Sequence, residues 1–226
     1  MKKLSPISNK ITKKTLAFAV MFVLMFSYVS PNAFAEDVIS STPCVTTDTL
    51  GDTHVEDVGT SPEPTFASIV SDYGISIGSQ TQYQIWHTNK ATTTFEITFL
   101  NGYTAAGDVF GYYKKGNINS FVPLFKNGST NSVYPAVTQA NPGQVYTVTL
   151  PAGDYGFAMH MEFGGHAYRT SETSLNENGE DNIISYNVSN SPQTYILGLE
   201  DLPFSVSDRD YNDIVVKIKT VSCEQL

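Results

Sequence analysis

The chain has 226 residues, with 13 Lys+Arg against 22 Asp+Glu and a formal net charge of −9. This acidic balance repels nucleic acid and anionic lipid and attracts divalent cations, so no nucleic-acid partner is expected. Thirteen Tyr and thirteen Phe can furnish an aromatic-rich core, and the two Cys allow one disulfide.

The N-terminus reads as an export signal over residues 1–35. Lys2, Lys3, Lys10, Lys13 and Lys14 give a positive start, Leu16 to Val29 is an apolar run too short for a comfortable membrane span, and Ala33-Phe34-Ala35 supplies the cleavage site. Cleavage there removes five lysines and no acid, leaving 8 basic against 22 acidic side chains, a net −14. No later segment is apolar enough to span a bilayer. The expectation is a secreted chain, extracellular or at the cell surface, with no membrane insertion of the mature part. In an oxidising compartment Cys44 and Cys223 imply one bridge, tying the N-terminal arm to the last strand.

Residues 36–64 are rich in Thr, Ser, Pro and acid and read as an irregular arm ahead of one domain over 65–226. Phe66, Ile69, Val70 and Tyr73 recur at helical spacing, so one short amphipathic helix should start after Pro64-Thr65 and stop at Gly74. From there the apolar period is two. Tyr83–His87, Thr93–Phe99, Val109–Tyr113, Val145–Leu150, Tyr155–Phe163, Ile183–Val188, Thr194–Leu199 and Ile214–Ile218 read as strands. Turn signals separate them at Asn101-Gly102, Lys115-Gly116, Asn127-Gly128, Asn141-Pro142-Gly143 and Ala152-Gly153-Asp154. The fold class is all-β, an antiparallel β-sandwich or jelly roll with one short N-terminal helix.

The densest chemistry precedes the last strand. Glu200, Asp201, Asp208, Asp210, Asn212 and Asp213 place six oxygen-bearing side chains within fourteen residues. Mutual repulsion opposes packing them closely. A hard cation resolves the conflict, because Ca²⁺ takes six to eight oxygen ligands. Asp208-Arg209-Asp210-Tyr211-Asn212 opens like an EF-hand loop, but Asp213 stands where that loop needs Gly and Lys219 where it needs Glu. What is shared is the physics of alternate residues converging on one ion, with Tyr211 and Ile214 turned to the core. A second cluster, Asn176, Asn178 and Asp181 around Gly179, offers further metal ligands, or else a solvated polar hairpin.

These segments resemble the domain of unknown function 4114 family of secreted bacterial and archaeal proteins. Leu199-Glu200-Asp201-Leu202 and Asp208-Arg209-Asp210-Tyr211-Asn212-Asp213-Ile214 match its C-terminal signature. Asn176-Glu177-Asn178-Gly179-Glu180-Asp181-Asn182 matches an upstream segment, with Asn178 in place of an Asp and Asn182 in place of a His. Phe110-Gly111-Tyr112-Tyr113 and Gly156-Phe157 also fit, and the resemblance covers roughly residues 65–220. It implies a β-sandwich of cell-surface, adhesin-like or matrix proteins, with calcium as its ion.

Other signals are weaker. Gly74-Ile75-Ser76-Ile77-Gly78 has the spacing of a nucleophile elbow, but that device needs a strand before it and a helix after it, so a glycine turn is the better reading. His160 and His166 with Glu162 lack a third strong ligand, and Glu96 and Glu162 fit outward strand positions better than a glycosidase pair. Tyr83, Trp86, Tyr112, Tyr113, Tyr134 and Tyr146 suggest cross-strand aromatic pairing, with a sugar-stacking platform as the functional alternative. Asn127 and Asn187 head glycosylation sequons. No catalytic constellation emerges. The expectation is a calcium-binding, non-enzymatic module that binds glycans or an extracellular matrix component. The alternative is a structural subunit of a surface layer or filament that self-associates, with calcium as stabiliser.

Overall fold

The computed structural model describes residues 43–49, 62–104, 107–128, 132–162 and 167–224. The expected leader lies outside these residues, as do His166 and part of the arm. No helix among the described residues is long and apolar enough to cross a membrane.

Helix α1 (Phe66–Asp72) forms where the periodicity placed it. The Thr65 hydroxyl accepts the Ser68 N–H at 3.2 Å and caps the first turn. Phe66, Ile69 and Val70 are buried. Gly74, at φ 64, ends it in the left-handed conformation that suits glycine.

The remainder is antiparallel β-structure. Within the stretch read as an irregular arm, Val45–Thr49 forms a strand, β1. It is followed by β2 (Ile77–Gln80), β3 (Tyr83–Asn101), β4 (Asp108–Lys114), β5 (Asn117–Asn127) and β6 (Val145–His160). Then come β7 (Tyr168–Thr170), β8 (Ile183–Val188), β9 (Thr194–Leu199) and β10 (Ile214–Glu224). The strand order is β2-β8-β9-β10-β3-β6-β4-β5, with β1 added to β3 and β7 to β6.

Two sequence expectations change here. The segments Tyr83–His87 and Thr93–Phe99 belong to one 19-residue strand. The Ala152-Gly153-Asp154 signal is no chain reversal, since it lies inside the 16-residue β6. The β3–β6 register shifts between Thr88 and Thr92. There the Thr88 hydroxyl lies 2.7 Å from the Pro151 carbonyl and 3.0 Å from that of Gly153, so a side chain satisfies what the interrupted ladder leaves open. Turn residues in a bulge kink the strand instead of ending it.

The kink lets the sheet fold over itself. One core cluster joins Phe110 and Phe125, from the β4–β5 end, to Leu197, Leu199, Ile214 and Val216 from β9 and β10. Residues far apart in strand order therefore face one another, as in a β-sandwich. A second cluster packs Phe66, Ile69 and Val70 of α1 on Ile184, Ile196 and Val215, the opposite face of β8–β10. β9 is buried on both faces along its whole length.

The aromatic residues considered for a sugar platform mostly turn inward. Trp86 and Tyr113 are fully buried and Tyr83 nearly so. Trp86 makes edge contacts with Phe157 and Tyr195, at centroid distances of 4.8 and 5.7 Å. The Phe157 contact crosses the neighbouring strands β3 and β6, while Tyr195 reaches Trp86 from β9, which does not pair with β3. Cys44 and Cys223 form the expected disulfide, 179 residues apart in sequence, joining the start of β1 to the end of β10.

Candidate metal centre

At the other end of β10 the acidic loop closes into a cleft of about 450 Å³ lined by Glu200, Asp201, Asp208, Asp210, Asn212 and Asp213. All six C-terminal candidates therefore meet in one place. Glu63, Tyr103, Leu202 and Val206 complete the wall.

Backbone geometry gathers them. Arg209 and Tyr211 both adopt positive φ, 55° and 52°, which curls the chain. The bend turns Asp208, Asp210 and Asn212 toward the cleft and buries the Tyr211 ring against α1. The Tyr211 hydroxyl donates to the Asp181 carbonyl at 3.0 Å, and Asn212 bridges back to Leu199. Gly198 makes room for this curl, since a Cβ there would lie 2.5 Å from the Phe66 ring and 2.7 Å from the Tyr211 carbonyl oxygen. Gly102 does the same at the β10 entrance, where a Cβ would come within 2.3 Å of the Asp213 carbonyl.

Carboxylate oxygens converge in two groups, Glu200–Asp208–Asp210 and Glu200–Asp201–Asp213, each with its ligand atoms within 4.8 Å of one another. Two oxygens on one Ca²⁺ stand at most about 5 Å apart. The spacing therefore fits a metal ion. Glu200, Asp210 and Asp213 are buried, while Asp208 is exposed at the rim. Asn212 plays a different part: its amide donates to Asp210 Oδ2 at 2.6 Å and to the Pro64 carbonyl at 2.9 Å, so it aims a carboxylate instead of facing the ion with that nitrogen.

Burial and mutual repulsion raise the carboxylates of the cleft. Burial, followed by the Asp201 and Glu200 charges, pushes Asp213 well above the usual carboxylate range. Burial raises Glu200 to about 7, with Asp201 and Asp208 adding to it. Burial also raises Asp201, although hydrogen bonds and Arg169 pull the other way. Buried oxygens normally find partners. Glu200 Oε2 has no hydrogen-bond partner among the described residues.

Two participants escaped the sequence reading. Asp108, fully buried at the head of β4, lies beside Asp201, and the Thr104 hydroxyl is within 2.7 Å of Asp108 Oδ2 and 3.2 Å of Asp201 Oδ2. Burial and the Asp201 charge raise it to about 7, against the Thr104 hydrogen bond. An acid directly ahead of an apolar strand is also how Asp213 opens β10, and that pattern was the available signal. Arg169, also buried, donates through Nε to the Asp201 carbonyl at 3.2 Å.

The upstream candidates are placed differently. Asn176 Oδ1 accepts the Thr170 N–H at 2.7 Å and its hydroxyl at 3.0 Å, and Nδ2 donates to the Thr170 and Glu180 carbonyls, both at 2.8 Å. The Thr170 hydroxyl has one proton and lies closer to the Glu172 carbonyl, at 2.8 Å, so Asn176 brackets the chain chiefly through the Thr170 N–H and its own two N–H donors. Asn178 is exposed at φ 56, serving the turn. Asp181 is buried. Asn182, where the resemblance had its His, donates to the Leu202 carbonyl at 3.1 Å and steadies the acidic loop.

The model of the domain of unknown function family DUF4114 matches residues 105–221. The chain belongs to this family. The DUF4114 match takes in Asp108 and both acidic groups but begins after β3, which nonetheless pairs with β1, β6 and β10. No curated protein matches the chain.

The remaining candidates are structural. Ser76 sits after α1 and before β2, the reverse of a nucleophile elbow. The His160 ring lies edge-on between Tyr134 and Tyr168, both at 4.9 Å. Glu162 accepts the Ser132 N–H at 2.7 Å. Asn127 of the first sequon is buried and donates to the Asp213 carbonyl at 2.8 Å, so its amide serves the cleft wall.

Proposed function

We propose that this chain is a secreted calcium-binding β-sandwich that works as a binding or adhesion module, without catalysis, toward glycans or an extracellular matrix component. The observation that carries the reading is the convergence of the five C-terminal carboxylates on one cleft, where the buried Glu200 Oε2 has no hydrogen-bond partner among the described residues. The oxygen-only donor set matches Ca²⁺, and the disulfide fits an extracellular setting.

The residues divide the work. Asp208 and Asp210 would hold the ion with Glu200, while Asn212 aims Asp210 and the Leu202 N–H fixes Glu200 Oε1 at 3.1 Å. Bound calcium supplies positive charge and open coordination positions at the rim. Because Trp86, Tyr83 and Tyr113 are inside the core, those three rings are unavailable for stacking, and sugar hydroxyls would complete the ion's shell. A glycan array with and without chelator tests this, and saturable, chelator-sensitive binding is the expected result.

A second reading, a structural subunit of a surface layer or filament, draws on Leu202 and Val206, which are 44% and 67% exposed beside the cleft. Apolar tips next to an ion suit contacts between copies of the chain. Light scattering that rises with calcium, without glycan binding, would favour it.

A further inference from the structure

The six charged side chains that line the cleft are all acidic: Glu63, Glu200, Asp201, Asp208, Asp210 and Asp213. Glu63 is exposed and comes from the segment ahead of α1, which is tied to the cleft where the Pro64 carbonyl accepts the Asn212 amide at 2.9 Å. Arg169 and Arg209 stand outside this wall. Arg169 has its Nε on the Asp201 carbonyl at 3.2 Å, and the Arg209 guanidinium lies 4.5 Å over the Phe204 ring. Six carboxylates outweigh one Ca²⁺ even when both arginines are counted, so the loaded cleft stays net negative.

That balance selects a ligand. Ionised carboxylates only accept hydrogen bonds. A carboxylate, sulfate or phosphate on a ligand would bring more acceptors and like charge to the wall, which costs binding energy. A hydroxyl does the opposite: its lone pair can complete a calcium shell while its proton goes to a carboxylate. The cleft also has an apolar side, formed by Tyr103 with exposed Leu202 and Val206. Tyr103 is pinned at both ends, its N–H donating to the Asn212 carbonyl at 3.0 Å and its hydroxyl accepting from Asn101 Nδ2 at 3.2 Å. A half-buried ring fixed in this way suits the C–H surface of a sugar. The volume of about 450 Å³ falls within the range of about 300–1,000 Å³ usual for small-ligand sites.

We propose that the cleft takes neutral, polyhydroxylated glycans and rejects their acidic counterparts, with Tyr103 as the ring that receives the sugar and Glu63 as the rim residue that enforces the charge preference. This inference rests on the calcium-dependent glycan reading above and names the ligand class of that site. Glu63 and Tyr103 act on the glycan and leave the ion to the C-terminal carboxylates.

A glycan array carrying neutral oligosaccharides beside uronic-acid, sialylated and sulfated ones, read in CaCl₂ at low salt, tests it alongside isothermal titration of the metal-stripped chain with CaCl₂. Neutral glycans should bind more tightly than acidic ones by about tenfold. Glu63→Lys should close most of that gap, and Tyr103→Ala should weaken neutral binding about tenfold while Tyr103→Phe retains it. The calcium heat should be unchanged in all three variants. Acidic glycans bound as well as neutral ones, or a gap unmoved by Glu63→Lys, overturn the proposal and leave the calcium reading standing. Calcium heat without any glycan binding overturns the glycan reading and this inference together. An absence of calcium heat overturns the calcium reading and with it the inference. Should Tyr103→Ala fail to fold, the exposed Glu63→Lys still decides.

Discussion

Asp213 Oδ2 accepts the backbone N–H of Asp201 at 2.7 Å, so the second residue past β9 is tied to the residue just ahead of β10. The acidic loop between them is closed at its base before any ion arrives. Its tip, with Leu202 and Val206 exposed, is held by the Phe204 N–H on Glu180 at 3.0 Å and the Asn182 amide on the Leu202 carbonyl at 3.1 Å. Calcium should therefore act mainly on the tip and on the charge balance. At a hundredfold excess over Kd, one ion stabilises the fold by about 2.7 kcal/mol. Asp210→Ala should remove most of the calcium-induced rise in Tm. Differential scanning calorimetry checks this, and an unchanged rise would take Asp210 out of the centre.

Stability without metal should depend on pH in a definite direction. Glu200 and Asp108 sit at about 7 in the folded chain, above the usual carboxylate values of about 4. Between those values the folded chain binds more protons than the unfolded one. Their contribution is then full below about pH 4 and is lost as pH rises through about 7. His87 adds a loss of the same sign: burial lowers it, but its hydrogen bonds to Asp154 and Asp48, at 2.7 and 2.9 Å, outweigh that and raise it. Calcium acts on the carboxylates and not on His87. The gap in Tm between calcium-loaded and metal-stripped protein should widen from pH 5 to pH 8, and parallel curves would count against the site.

A close backbone approach gives a steric test. A Cβ on Gly102 would come within 2.3 Å of both the Asp213 carbonyl oxygen and Asn127 Nδ2. Asn127 itself holds that carbonyl. Gly102→Ala must push β10's entrance away and displace Asp213. A loss of roughly 1–3 kcal/mol is expected, the range for overpacking, together with weaker calcium binding. Denaturant midpoints in calcium and chelator measure both effects.

How legible the molecule was depends on which interactions encode each part. The helix was written in the spacing of Phe66, Ile69 and Val70, and most strands in alternation. The joining of Tyr83–His87 to Thr93–Phe99 was hidden, because a kink and a turn use the same residues and only the Thr88 hydroxyl on Pro151 and Gly153 separates them. β1 was hidden because Thr and Asp in a short edge strand look like linker. The C-terminal acidic residues were legible as a cluster, since they are close in sequence. Asp108 was not, because about ninety residues separate it from Asp201 and only the fold joins them. Asn176 shows the converse: its amide lies in an acidic stretch, and only the fold shows that it brackets Thr170 and Glu180.

Asn176 therefore gives a clean separation of bracket from ligand. It accepts the Thr170 N–H and donates to the Thr170 and Glu180 carbonyls, three hydrogen bonds each worth about 1 kcal/mol net. Asn176→Ala should lower stability by about 2–4 kcal/mol while leaving calcium stoichiometry unchanged. Loss of a bound ion in a variant that still folds would restore Asn176 as a ligand.

The last prediction concerns the two ends of β10. Its 11 residues run from the acidic centre at Ile214 to the disulfide at Cys223, roughly 30 Å at strand rise. At one end a cation is to gather β9 and β10, and at the other Cys44 fastens β1. Closing a loop of 179 residues is worth about 5 kcal/mol in the chain-entropy model. Because the anchors are far apart and share no partner, their effects should add. Cys44→Ser/Cys223→Ser should lower the urea midpoint in calcium and in chelator alike, leaving the calcium increment intact. A shrunken increment would mean that strain travels along β10, and the two anchors would then have to be treated as one cooperative unit.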